Sequence, residues 1–187
     1  MASTISAGTT SGTAIAITGD TTGNLAFTTS AGTYTQTMPN ATGTIMVSGN
    51  MPAFSAYPSA SQSISASTST KLQVNTKTGA NNIAFDTASY YDTTNYRFLP
   101  LVAGYYQVNG VFNCNSVTGS NIIAIYKNGS ELQRGTQGAI YGAVVSCIVY
   151  LNGSTDYIEL YGYTSGATTI NAGPIQTYFQ ASMVRSA

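Results

Sequence analysis

Few residues in this chain are equipped for acid–base chemistry, and their spacing limits what they can do together. It has six carboxylates, six basic residues and no histidine. Asp156 and Glu159 stand closest as a pair, but three apart on a strand they would point to opposite faces. Asp86 and Asp92 flank one loop, where they can meet as a catalytic or calcium-binding pair or can cap backbone amides. Capping is the commoner use of loop carboxylates. Without histidine, a Ser or Cys nucleophile lacks its usual base. Cys114 and Cys147 are the only cysteines, and two isolated thiols cannot close a tetrahedral metal site. Each lies in an apolar, strand-like stretch and reads as a buried thiol rather than half of a disulfide. The glycines sit in β-turn contexts, with no P-loop or dinucleotide fingerprint. The expectation is a non-enzymatic protein with no catalytic residues, no metal and no cofactor.

The chemistry that remains is recognition. Fourteen tyrosines supply rings that stack on sugars, and neutral Asn and Thr side chains supply hydrogen bonds that salt does not screen. Aromatic loops at Tyr90, Tyr91, Tyr161 and Tyr163 are the candidate ligand-binding residues. Core or subunit-interface packing is the competing role for the same rings.

Composition sets the frame for these groups. Charged residues make up 6% of the chain, against about 25% in ordinary soluble domains. With 43% hydrophobic residues and zero net charge, the chain falls outside the disordered class. The six basic residues are scattered from Lys71 to Arg185, so no patch exists for nucleic-acid binding through counterion release. No apolar run approaches a membrane span, and the first fifty residues do not resemble a secretory leader. Assembly in a cytoplasm is the expectation. On that basis Asn-x-Ser/Thr triplets such as Asn128-Gly129-Ser130 read as turns rather than glycosylation sites.

The elements divide into two parts. Residues 1–70 carry one charged residue, Asp20, and are rich in Ser, Thr, Ala and Gly. Thr13–Thr18 alternates like a strand, residues 19–24 read as a turn, and residues 25–29 as a returning strand. Such strands lack the bulk for a core and gain stability by pairing with sister chains or a larger particle. Residues 1–52 are therefore expected to form an N-terminal β-rich arm or stem, with a flexible Ser/Thr linker as the other reading. Met51-Pro52-Ala53-Phe54 marks the boundary. From there the pattern is roughly eight short strands without a helical window, which predicts an all-β sandwich or jelly roll over 53–187. Tyr106, Val108, Gly110 and Phe112 should share one face of a strand, as should Val145, Cys147, Val149 and Leu151, and Phe179, Ala181 and Met183. Asn128-Gly129 predicts a type I′ hairpin after Ile122–Lys127.

Asp86, Tyr91, Phe98, Gly104 and Tyr106 stand at intervals of five, seven, six and two, too irregular for one helix or strand. This spacing, with Asn128, Gly129 and Phe179 downstream, resembles the signature of C1q-like domains, which belong with the tumour-necrosis-factor-like (TNF-like) jelly rolls. Three positions depart from that pattern: Ala80 and Val108 replace phenylalanines, and Gly110 replaces a closing aromatic. The resemblance implies a C1q/TNF-like jelly-roll head that is trimeric. Gly104 is expected to permit a turn that a Cβ would obstruct. Many tyrosines and little charge suit a subunit interface that buries no unpaired ions.

The Thr/Gly-rich turns at 19–24 and 37–44 resemble those of bacteriophage tail-fibre and other virion proteins. Together the two resemblances imply a homotrimeric bacteriophage virion surface protein, located on the virion, whose residues 1–52 dock to other virion proteins. A tail-fibre head would bind a host-surface glycan. A capsid decoration protein, its arms clamping capsid subunits, is the alternative, and a free C1q-like lectin module the second. No nucleic-acid or membrane partner is expected.

Overall fold

The computed structural model describes residues 51–79, 83–116, 119–139 and 141–187. The strands and turns expected in residues 1–50, and the departure at Ala80, lie outside the described residues.

Regular structure among the described residues is entirely strand, in thirteen segments, several only two residues long. The first sheet is built from β1 (Ala53–Ala56), β4 (Phe85–Asp86), β7 (Gly104–Asn113), β10 (Gly142–Leu151) and β13 (Tyr178–Ser186), in the order β10-β7-β13-β1-β4. The second contains β5 (Tyr91–Asp92), β6 (Arg97–Phe98), β8 (Asn121–Lys127), β9 (Ser130–Gly138) and β11 (Ile158–Thr164), in the order β5-β6-β11-β8-β9, with β3 (Thr70–Lys71) also on β11. A short ribbon pairs β2 (Gln62–Ile64) with β12 (Thr168–Ile170). The chain passes from sheet to sheet at β7–β8, β9–β10 and β10–β11, while β8 and β9 form a hairpin within one sheet. Antiparallel sheets linked by crossing loops in this way make a jelly-roll sandwich.

Period-two alternation decides which side chains meet. In β7, Tyr106, Val108 and Phe112 are fully buried, and β13 contributes Phe179, Ala181 and Met183. Val145, Val149 and Leu151 of β10 are buried too, with Cys147 half-buried on the same face. The core centres on Phe54, whose ring stacks on Tyr91 and Phe98, each at 4.6 Å between centroids, and meets Phe179 edge-on at 5.1 Å. Each fully buried ring of this size contributes about 1.5–3 kcal/mol relative to exposure.

Glycines set the spacing between the sheets. Leu160 of β11 lies over Gly110 of β7, and the ring of Phe112 lies under Gly162, 3.5 Å from where a Cβ would stand. This explains the departure at Gly110: the volume an aromatic would fill is occupied by Leu160 from the opposite sheet. Gly104 works differently from expectation. It is the first residue of β7, paired with Leu151 and Ser186, and a Cβ there would collide with Met183 and the Arg185 carbonyl. What requires glycine is the close approach of β13 at its bulge between Met183 and Arg185, not a turn.

Candidate functional site

The signature residues prove to be structural. Asp86 closes β4 with its side chain only 3% exposed. Its carboxylate accepts hydrogen bonds from the backbone amides of Tyr90 and Tyr91 and from Lys77 Nζ at 2.8 Å. It therefore anchors the turn that delivers Tyr91 to the core. Tyr91 is 2% exposed and donates its hydroxyl to the Val74 carbonyl at 2.7 Å. Burial raises its pKa well above the ordinary tyrosine value. A ring so enclosed does not reach a surface ligand, which corrects the expectation for Tyr91. Its neighbour Tyr90 is half-buried and packs against the same core. Tyr106 donates to the Val102 carbonyl at 2.7 Å, and its ring meets that of Phe98.

At the β8–β9 hairpin, Asn128 and Gly129 adopt φ of 52° and 79°, as a type I′ turn requires. Asn128 also ties this turn to the loop before β11, accepting from Tyr157 N and donating to Asp156 Oδ1 at 2.8 Å.

Among the described residues the other acids are similarly engaged. Asp156 lies in that loop rather than on a strand and pairs with Lys127 at 2.8 Å; Glu159 lies on β11 and pairs with Lys71 at 2.6 Å. Asp92 accepts from the amides of Thr94 and Asn95 and from Asn95 Nδ2. Asp86 and Asp92 thus cap amides on separate cations, Lys77 and Arg97, rather than facing each other. Both cysteines are free thiols, with pKa values raised chiefly by burial. Cys147 sits opposite Val108, and Cys114 lies beyond the far end of β7. No cluster of three or more His, Cys, Asp or Glu suited to a metal exists among the described residues.

Two surfaces have the character of binding faces. The first is the outer face of the first sheet. Tyr105 and Tyr150 stand directly opposite each other, their rings 5.5 Å apart, and with Val144 and Ile148 they are 41–61% exposed. Between them Gln107, Ser146 and Asn109 bond to one another, Gln107 Nε2 donating to Ser146 Oγ and Ser146 Oγ to Asn109 Oδ1. Neither β7 nor β10 contains a charged residue. A cleft of about 200 Å³ beside Phe85, Asn109 and Gln180 opens on the same sheet.

The second is a cleft of about 430 Å³ on the outer face of the second sheet. Alternation sends Ile123 and Ile125 inward and leaves Ile122, Ala124 and Tyr126 as the floor. Tyr161 and Tyr163 of β11 form one wall, and the rings of Tyr126 and Tyr161 stack at 3.9 Å. Glu131, Arg134 and Gln137 of β9 form the other. That wall leans because β9 leaves regular register twice and swings toward β10, where Gly135 packs on the backbone of Val144 and Val145. Arg134 and Glu131 make a bidentate pair, Nε to Oε1 at 2.9 Å and Nη2 to Oε2 at 3.1 Å. Tyr161 and Tyr163 therefore occupy a concave wall, apart from Tyr90 and Tyr91. Sequence reasoning missed Tyr126, Arg134 and Gln137, and it missed Phe54 as the hub of the core. The Tyr126 side chain alternates outward, a signal available in the sequence, but its partners come from two other strands.

No family model matches the chain, and no curated protein matches it. Among solved structures, the chain is similar to the Eiger TNF of S. frugiperda, with 10% identity over 73% of this chain and 93% of that one and a TM-score of 0.57. It is also similar to murine APRIL at pH 8.0, with 13% identity, 72% and 99% coverage and a TM-score of 0.52. At these identities the likeness is one of fold, and the fold is a TNF-like jelly roll, as the signature spacing predicted.

Proposed function

We propose that this protein is a non-enzymatic bacteriophage virion surface protein of the tail-fibre type. Its jelly-roll head forms a homotrimer that binds host-surface glycan, and residues 1–52 attach it to other virion proteins. The observation that carries this reading is the outer face of the first sheet. Tyr105, Val144, Ile148 and Tyr150 are exposed there on two long strands without a single charge. An apolar face with neutral polar groups bonded to one another loses little on desolvation, so a second copy is its natural cover. The virion assignment rests on the resemblance of the Thr/Gly-rich sequence at 19–24 and 37–44 to bacteriophage tail-fibre and other virion proteins. A binding role also fits the chemistry of the head, where Asp86, Asp156 and Glu159 hold cations and backbone amides. Repeated weak sites on one assembly would add avidity for a cell surface.

Sedimentation of the full-length chain at micromolar concentration tests the assembly, with a single trimeric species expected. A stable, folded monomer would overturn it. Cryo-microscopy of intact particles tests the role: density at tail appendages is expected, whereas density at capsid symmetry axes would replace attachment by capsid decoration.

A further inference from the structure

We propose that the cleft on the outer face of the second sheet is the sugar-binding subsite and that it takes a neutral saccharide; this rests on the glycan-binding reading above. A sugar ring presents an apolar C–H face bordered by hydroxyls, and the cleft offers the complement of both. Its floor is small and apolar at Ala124 and Ile122, with the phenol rings of Tyr161 and Tyr163 alongside. The volume of about 430 Å³ falls within the range of small-ligand sites, roughly 300–1,000 Å³.

The opposite wall selects among sugars. Arg134 spends two of its N–H groups on Glu131, leaving further donors beside a carboxylate that still has lone pairs. A donor next to an acceptor matches vicinal hydroxyls, each of which both gives and receives a hydrogen bond. Glu131 already neutralises the only cation among the described residues that line the cleft, so no unpaired positive charge is left to favour an acidic sugar. The same pairing leaves no free charge for a nucleic-acid phosphate. A peptide adding as a strand is disfavoured because β8, beneath the cleft, already pairs on both sides with β9 and β11.

The test is tyrosine-ring NMR on the full-length protein. It is titrated with methyl β-galactopyranoside, methyl α-mannopyranoside and methyl β-glucopyranoside, and with N-acetylneuraminic acid as the acidic counterpart. At least one neutral glycoside should give saturable shifts at Tyr126, Tyr161 and Tyr163 but not at Tyr105 or Tyr150, and the acidic sugar should give none. Tyr161→Ala should abolish the saturable shift. Gln137→Ala, on the exposed strand β9, should weaken binding several-fold while leaving the rest of the spectrum in place. Silence of the cleft toward all three glycosides, preference for the acidic sugar, or shifts confined to the first sheet would each overturn the subsite. Adsorption of the protein to host cells separates the two claims. A protein that adsorbs with a silent cleft loses the subsite and keeps the glycan reading. One that binds a glycoside in the cleft but fails to adsorb keeps the subsite and loses the host-attachment role.

Discussion

Leu160 of the second sheet fills the space above Gly110 of the first. A Cβ at position 110 would collide with Leu160 Cδ1 and stand 3.2 Å from Val145 Cγ1. One large and one absent side chain thus interlock across the sandwich, and Phe112 against Gly162 repeats the arrangement in the opposite sense. Interiors packed this closely respond to single methylenes.

Gly110→Ala should therefore destabilise the fold by about 1–3 kcal/mol through overpacking. Urea denaturation at fixed protomer concentration measures it. Leu160→Ala in the same chain should recover part of the loss, because contacting sites are not additive. Strict additivity of the two changes would show that the residues do not share this space.

Asp86→Ala should cost roughly 2–3 kcal/mol, since it removes a nearly buried carboxylate that accepts from two backbone amides and an ammonium. Lys77→Met should cost less in the Asp86→Ala background than in the wild type, because the lysine has then lost its carboxylate and keeps only its bond to the Tyr91 carbonyl at 2.9 Å. A Tyr91 ring signal moving toward solvent values would be the accompanying spectroscopic change.

Stability should be flat between pH 5 and 8 and fall in acid. With no histidine in the chain, no side chain has its ordinary titration in that interval. The Asp156 carboxyl is held below its ordinary range, mainly by the hydrogen bond from Lys127, and Asp92 is held low mainly by Asn95. A carboxylate whose folded pKa is depressed adds stability above its unfolded value of about 4. That stability is lost as pH drops through the folded value. Thermal melts from pH 8 to 2 read this directly, and Asp156→Asn should flatten part of the acid slope.

Ile148→Lys should convert the assembled protein to monomers without unfolding it, because the residue is 61% exposed and makes no part of the core. Light scattering gives the mass and circular dichroism the fold. Retention of the wild-type mass would remove this face from the interface.

Deletion of residues 1–50 should leave a soluble head that stays trimeric and no longer joins particles. Incorporation of the truncated chain into virions would remove the docking role from the arm.

How much of this was written in the sequence depends on the range over which each feature is decided. Strand faces follow from alternation within one segment, so Tyr106, Val108 and Phe112, or Phe179, Ala181 and Met183, could be assigned locally. The Asn128-Gly129 turn is likewise a local consequence of positive φ. Tyr91 could not be placed that way. Whether its ring faces solvent or core depends on Phe54 and Phe179, thirty-seven residues before it and eighty-eight after it.

Backbone preferences and side-chain periodicity act between neighbours, and they determined that this chain is a β-sandwich with a particular set of inward faces. The need for glycine at 104 and 110, the enclosure of Tyr91, and the cleft joining Tyr126 and Tyr161 to Arg134 were decided only when strands from distant parts of the chain came together. Steric fit and ligand-sized concavity exist between strands, and no single strand carries them.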